Sequence, residues 1–221
     1  MWGGRPWLRS GCGRVGVRAL RRAPARGLLI VISGPSGVGK DTLIKRLLEL
    51  DRNLRYSVSC TTRPARPGEV DGVDYAFVSR ERFQQLIDEG AFLEHATYNG
   101  NLYGTLTERV ERERDAGHDV VLKIEVQGAE QVRAKVPDGV FTFVVPPSVD
   151  ELVRRQVKRN TETSKDMTAR RLIATREMEY ASRYDHVVVN DELQRTVAEV
   201  LAIIHSARER DIQDKAHSSQ T

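Results

Sequence analysis

LLIVISGPSGVGKDT, residues 28–42, decides the fold. Its first six residues are almost purely aliphatic and do not alternate with polar ones, the pattern of a strand buried on both faces. Next come Gly34, Pro35, Ser36, Gly37, Val38, Gly39 and Lys40, a GxxxxGK spacing between that strand and a helix expected from about Gly39 to Leu50. Glycines at those positions let the backbone wind until several N–H groups converge on phosphate oxygens. The helix start adds the positive end of its dipole, and Lys40 adds a mobile point charge for the β and γ oxygens. The stretch therefore reads as a nucleoside triphosphate loop.

The residue after the lysine is unusual. A neutral hydroxyl normally stands there to meet Mg²⁺, and this chain has Asp41, followed by Thr42. Mg²⁺ accepts carboxylate oxygen readily, and a negative charge suits the first turn of a helix. Thr42 is no simple substitute, because one helical residue turns the side chain by roughly 100°. Asp41 is expected to act on the metal, directly or through a water, unless it only caps the helix while phosphates and water hold the ion.

Outward from the loop, short apolar runs alternate with longer charged, periodic segments. VVLKIEV (120–126), FTFVVPP (141–147) and HVVVND (186–191) each precede a helical stretch. That alternation predicts an α/β fold with a parallel sheet covered by helices. Residues 58–108 read differently. VSCTTR, DYAFVS, FLEHATY and NLYGT are short and more polar, separated by turn residues, and predict a mixed β insertion with one helix, RERFQQLIDEG. Residues 152–183 are charged and helical, with a bend at RNTETSKD, and suit a lid. The organisation expected is a core of 27–57, 109–151 and 184–208, an insertion of 58–108, a lid of 152–183 and a fraying polar tail of 209–221.

With 221 residues, 39% of them hydrophobic and 30% charged, the chain has the composition of a globular protein with one good core. No apolar run nears the ~20 residues a membrane span needs. The net charge of +4 belongs to residues 1–26, which hold seven arginines and no acid; the remainder carries 28 basic against 31 acidic residues. A nucleic-acid-binding surface is therefore not indicated, nor a membrane partner. Residues 1–26 read as a disordered Arg-rich extension, an upstream stretch admitted by a misplaced start, or a targeting segment. Two cysteines, Cys12 and Cys60, make no disulfide framework and fit a reducing cytoplasmic setting.

The insertion carries a second phosphate site. Arg63 and Arg66 lie three residues apart in a Pro-bounded turn with Tyr75 following, two guanidinium forks and a phenol suited to a phosphate monoester dianion. The order SVSCTTRPARPGEVDGVDYAF, FLE, YGT, IEVQG, PPS, VND resembles guanylate kinases from about residue 27 to 208. The resemblance implies a P-loop core, a GMP-binding insertion and a lid, and the reaction ATP + GMP to ADP + GDP with Mg²⁺. It implies that Arg63, Arg66, Tyr75 and Tyr103 hold the GMP phosphate, and that Ser59, Glu94 and Thr105 read the base. Guanine chemistry agrees. One carboxylate accepts both N1–H and the N2 amine, while adenine would leave that carboxylate facing a lone pair.

The resemblance further implies that Arg155, Arg159 and Arg171 contact transferring phosphates, and that Asn190 lies near the adenine. The 159-to-171 spacing is one residue longer than the family's common one, so Arg170 competes with Arg171. Lys123 stands where the family commonly has an acid, with Glu125 beside it. One carboxylate lost at 123 and one gained at 41 suggest a pair. The acceptor that the resemblance implies is GMP, and no residue identified reads the sugar 2′ position, so dGMP stays open. A ribose-phosphate P-loop kinase would leave Ser59, Glu94 and Thr105 without joint purpose. A non-catalytic phosphopeptide-binding module would tend to lack Lys40.

Overall fold

The structure is a computed structural model that describes residues 25–98, 100–159 and 167–218, with backbone alone at 156–159, 167–170, 173–174, 216 and 218. Five parallel strands form the central sheet: β1 (Leu29–Ser33), β2 (Leu54–Tyr56), β7 (Asp119–Lys123), β8 (Val140–Val145) and β9 (His186–Val189), in the spatial order β2-β7-β1-β8-β9. β1 is buried at every position. It feeds both faces in alternation, as a strand must. Ile30 and Ile32 join Leu43, Leu47, Val197, Val200 and Ile204 of α1 (Lys40–Leu50) and α7 (Leu193–Ser218). Leu29 and Val31 join Val110 of α3 (Thr107–Asp115) and Ala129 and Val132 of α4 (Val126–Lys135). Each fully buried aliphatic contributes roughly 2 kcal/mol. The doubly apolar reading of residues 28–33 thus has its cause in helices on both sides.

β1 has β7 on one side and β8 on the other, both parallel. The chain switches direction of winding there, and the crevice outside the strands' carboxyl ends is where ligands bind in such sheets. The loops leaving β1, β7 and β9 all open onto that edge.

The second sheet has the order β4-β3-β6-β5, made of β3 (Cys60–Thr61), β4 (Ala76–Phe77), β5 (Phe92–Tyr98) and β6 (Asn101–Leu106). Its own small core is Cys60, Phe83, Leu86 and Phe92, the two phenyl rings stacked 4.5 Å apart; Phe83 and Leu86 come from α2 (Arg80–Asp88). The Ser79 hydroxyl caps α2 by accepting from the Arg82 amide at 3.1 Å. Lys135 of α4 donates to the carbonyls of Phe92 and Leu93, which ties this sheet to the core.

Several expectations change at their edges. Strand β7 ends at Lys123, not at residue 126, because the backbone turns out of the sheet to start α4. Helix α1 begins at Lys40 with Gly39 as its left-handed cap. The tail expected to fray from 209 instead continues α7 to Ser218, where Lys215 pairs with Asp211 one turn back. Strand β2 has no counterpart among the expected elements. At three residues on the sheet edge it is too short to show a period. Helices α5 (Val149–Arg159) and α6 (Met167–Glu179) frame the segment 160–166, and the bend expected there lies outside the described residues. No helix among the described residues is long and apolar enough to cross a membrane.

Candidate active site

The loop after β1 is held by its glycines and by contacts from behind. Gly34, Gly37 and Gly39 have φ of 147°, 87° and 106°. A Cβ on Gly34 would lie 2.2 Å from the Val144 carbonyl, and one on Gly39 would lie 2.5 Å from Asn190 Nδ2. Lys40 is buried, and its ammonium donates to the carbonyls of Gly34 and, at 3.3 Å, Pro35. Lysine and loop therefore form one preorganised unit.

Asn190, the residue after β9, lies under this loop. Its amide nitrogen donates to the Val38 carbonyl at 2.8 Å, and its amide oxygen accepts from the Thr196 hydroxyl at 3.1 Å. Expected near the adenine, it braces the loop with both ends of its amide. Arg155 stands beside it. Its guanidinium donates to the carbonyls of Val38 and Asn190 and pairs with Glu151 at 3.0 Å. Arg171 pairs with Asp150 at 2.5 Å and is half exposed. Arg159 ends α5, and its side chain, like that of Arg170, lies outside the described residues. Arg155 and Arg171 thus both bind partners within the protein itself.

A cleft of about 580 Å³ separates the loop from the small sheet. Ser36, Gly37, Gly39, Lys40 and Asp41 line one wall; Ser59, Arg63, Arg66, Tyr75, Glu94 and Tyr103 line the other. Thr42 is exposed and points no group into the cleft lining. Sequence positions 59 to 103 converge because β3, β5 and β6 are adjacent. Glu94 and Thr105 are direct cross-strand partners, with the Thr105 hydroxyl donating to Glu94 Oε1 at 2.6 Å. Both are buried, as is Ser59. Burial pushes the Glu94 carboxyl up to about 7, with the Thr105 contacts opposing part of the rise. A buried carboxyl beside two hydroxyls has acceptors and donors to offer and little solvent to satisfy them. That is a polar edge built for a polar partner.

The Arg63–Arg66 end of this wall is organised by a residue the motifs leave unassigned. Glu69 accepts from the Arg63 guanidinium at 2.8 Å and from the Arg66 amide at 2.7 Å. The Arg63 ion pair, first, and the Arg66 amide hold its carboxyl below the usual range. Arg63 also lies over the rings of Tyr75 and Phe77, and Tyr75 meets Tyr103 edge-on at 5.9 Å. Two further residues escape sequence reasoning. Gly128, in the first turn of α4, leaves the room Glu94 occupies, since a Cβ there would sit 2.3 Å from Glu94 Oε2. Glu177 of α6 stands near Glu125 and Lys40, and burial raises its carboxyl above the ordinary value. A signal for Glu69 and Gly128 is present in the RPGE and QG strings; nothing in sequence marks Glu177.

The two departures at 41 and 123 meet. Lys123 Nζ donates to Asp41 Oδ1 at 2.6 Å. Burial works against the charge of Lys123, and the Tyr56 and Tyr75 phenols with the Asp41 carboxylate outweigh it, so its pKa stands above the lysine norm.

Among proteins of known identity, the family model described as guanylate kinase matches residues 26–207. The guanylate kinase of Desulfitobacterium hafniense is 53% identical over 178 residues, covering 80% of this chain and 89% of its own. That of Oceanobacillus iheyensis is 50% identical over 188 residues, covering 84% and 91%. The crystal structure of guanylate kinase from Anaplasma phagocytophilum superposes with a TM-score of 0.70 at 34% identity, covering 83% of this chain and 87% of that one. A phosphate loop facing a buried carboxylate–hydroxyl pair, in a chain half identical to such enzymes along most of its length, leads to one assignment: this chain belongs to the guanylate kinase family.

Proposed function

We propose that the chain transfers the γ-phosphoryl group of ATP to GMP. An oxygen of the GMP phosphate dianion forms a bond to the γ phosphorus as the bond from that phosphorus to the β,γ-bridging oxygen breaks. ADP leaves with the bond's electrons and GDP results, so no general base is needed. The observation that carries the reading is Glu94, buried in the cleft wall opposite the Lys40 loop and held there by the Thr105 hydroxyl.

In this reading the loop from Gly34 to Gly39 and Lys40 hold the ATP phosphates, and Arg63, Arg66, Tyr75 and Tyr103 hold the GMP phosphate. Glu94 accepts from guanine N1–H and N2–H, and the Ser59 and Thr105 hydroxyls complete the base edge. Guanine supplies the donors that a buried carboxylate lacks, so binding draws Glu94 to its ionised form. Arg155 and Arg171 exchange their protein partners for phosphate oxygens when α5 and α6 close, and Arg159 joins them at the transferring group. Such closure excludes the water that would otherwise hydrolyse ATP. Residues 58–108 act as the acceptor subdomain and 152–183 as the lid.

Mg²⁺ fits the residues present. The described residues hold no cluster of three or more His, Cys, Asp or Glu side chains that would cage an ion. Mg²⁺ ordinarily keeps several waters and takes one or two carboxylates plus phosphate oxygens. Asp41, lining the cleft beside the loop, would hold it through a bound water. The ion supplies charge neutralisation at the β and γ oxygens. The reaction is set in the cytoplasm with small-molecule substrates and without nucleic-acid or membrane partners.

A coupled assay for ADP, with GMP, dGMP, AMP and ribose phosphates as acceptors, tests the reading. GMP-dependent ADP release, at least about a hundredfold above AMP, is expected from a site whose buried groups the wrong base leaves unpaired. Equal turnover with AMP or a ribose phosphate would overturn it.

A further inference from the structure

Lys123 lies where the two halves of the cleft meet. Its strand β7 runs beside β1 with Ile32 opposite Lys123, so the side chain leaves the sheet next to the start of the phosphate loop. Its ammonium reaches Asp41 on the donor side and stands 5.3 Å from the Tyr75 ring centroid on the acceptor side. Arg63 lies 5.4 Å from the same centroid, so Tyr75 is shared by one guanidinium and one ammonium.

The pair is poorly suited to be a stability device. The Asp41 side chain is 67% exposed, and an ion pair with so exposed a partner contributes little, whereas Lys123 is only 19% exposed and bears a desolvation cost. The other cations near the centre have protein partners: Lys40 has the carbonyls of Gly34 and Pro35, Arg155 has Val38, Asn190 and Glu151, and Arg171 has Asp150. An ammonium has three donors. Lys123 gives one to Asp41 and stands 5.9 Å from the Tyr56 ring centroid, which leaves donor capacity for an incoming oxygen.

We propose that Lys123 is a catalytic residue of the transfer step, its ammonium meeting the oxygens of the phosphoryl group as it passes between ATP and GMP, and that Asp41 is its positioning residue. The ammonium keeps its protons throughout. Its charge meets the negative charge carried on the transferring oxygens, which is where fixed cations lower the barrier. Asp41 aims it and, being paired, no longer repels the triphosphate. This inference rests on the GMP kinase reading. Formation of GDP by the unaltered protein tests that reading, and only variants at 41 and 123 test Lys123.

The experiment is a cycle of Lys123→Gln, Asp41→Asn and the double variant, with Lys123→Arg as the conservative control. Each is followed by steady-state kinetics, GMP titration calorimetry and thermal melting. Lys123→Gln is expected to lower kcat about a hundredfold. KM for ATP and the GMP dissociation constant should hold within about threefold, because the contact strengthens only as transfer proceeds. Lys123→Arg should regain about tenfold of that loss by restoring the charge. Asp41→Asn should lose about tenfold in kcat, and the double variant should be no slower than Lys123→Gln alone, since the aim of a residue that is absent cannot be lost a second time. Lys123→Gln within about twofold of wild-type kcat overturns the proposal, whether or not its melting temperature falls. So do Asp41 and Lys123 effects that multiply. Should Lys123→Gln not fold, Lys123→Arg and Asp41→Asn decide: kcat losses with unchanged GMP affinity support the proposal, and wild-type kcat in both overturns it.

Discussion

The donor and acceptor walls of the cleft are built on opposite principles. On the donor side the binding groups are backbone amides of one continuous loop, braced by Asn190, Thr196 and the lysine that belongs to the loop itself. On the acceptor side, in the proposed reading, they are side chains from β5, β6 and the segments flanking β3, two of them aimed by a neighbour: Glu94 by Thr105 and Arg63 by Glu69. A loop of amides recognises phosphate whatever it is attached to. A constellation of side chains can distinguish guanine from adenine, and it is correspondingly sensitive to single substitutions. The sharpest tests of that contrast remove one group from each wall.

Lys40→Met should have the largest effect, lowering kcat/KM by about a thousandfold or more while leaving the GMP dissociation constant within about threefold. It deletes the charge that belongs to the loop itself and removes no hydrogen bond of the small sheet. A comparable loss of GMP binding, read by calorimetry, would mean that the two walls are not independent.

Glu94→Gln is expected to act on the other wall, and in two directions. The preference for GMP over AMP should fall by about a hundredfold, since an amide cannot accept from both guanine donors. Stability should rise. With a folded-state pKa of about 7 against an ordinary value of 4.5, Glu94 costs the fold nothing below the lower value and progressively more between the two. Above neutrality the cost reaches about 3 kcal/mol, at about 1.36 kcal/mol per pH unit, and the glutamine removes it. Denaturant melts at pH 8 and pH 4 should show the variant more stable than wild type at pH 8 and about level with it at pH 4. The same titration makes wild-type kcat/KM for GMP fall as pH drops below about 7, a fall absent from Glu94→Gln down to the substrate's own phosphate pKa of about 6. A pH-independent stability difference would place the carboxyl in a wetter site than its burial indicates.

The contrast between the walls also explains what is legible in the sequence. The donor loop is contiguous, lies between a strand and a helix, and its glycines have a local reason, so residues 28–42 alone carry the fold class and the phosphate site. The helices on both sheet faces follow from β1 being apolar over its first four residues, Leu29 to Ile32. Ser59, Glu94 and Thr105 are found through a family resemblance, because no local pattern joins residues so far apart in the chain; the pairing of β3 with β6 and β6 with β5 does so. Gly128 is flagged by its QG string but not as the room Glu94 needs, and Glu177 sits on α6 where its spacing looks like ordinary helix. Asn190 stands just after β9, and its hold on the Val38 carbonyl is not legible in the sequence, which does not show that an amide there meets the underside of the loop. Asp41 and Lys123 can be joined from sequence only because each breaks a familiar pattern with opposite sign.

Glu69 offers the smallest effect and the finest resolution. It contacts Arg63 and the backbone of Arg66, and in the proposed pose it meets no substrate, so Glu69→Gln leaves every phosphate ligand in place. What it removes is the charge that fixes one arginine's fork. An arginine free to sample other rotamers must be ordered at the moment of binding, and that entropy is drawn from GMP affinity. KM for GMP should rise about tenfold, with KM for ATP unchanged within error. The donor wall has a matching brace in Asn190, whose loss leaves the Val38 carbonyl with Arg155 alone. Because the loop is also held by its own lysine and glycine geometry, Asn190→Ala should cost stability, about 1–2 kcal/mol for an under-satisfied buried carbonyl, and little KM for ATP. If Asn190→Ala instead raised KM for ATP as steeply as Glu69→Gln raises that for GMP, the donor loop would depend on single neighbours just as the acceptor wall does, and the distinction between a preorganised loop and an aimed constellation would collapse.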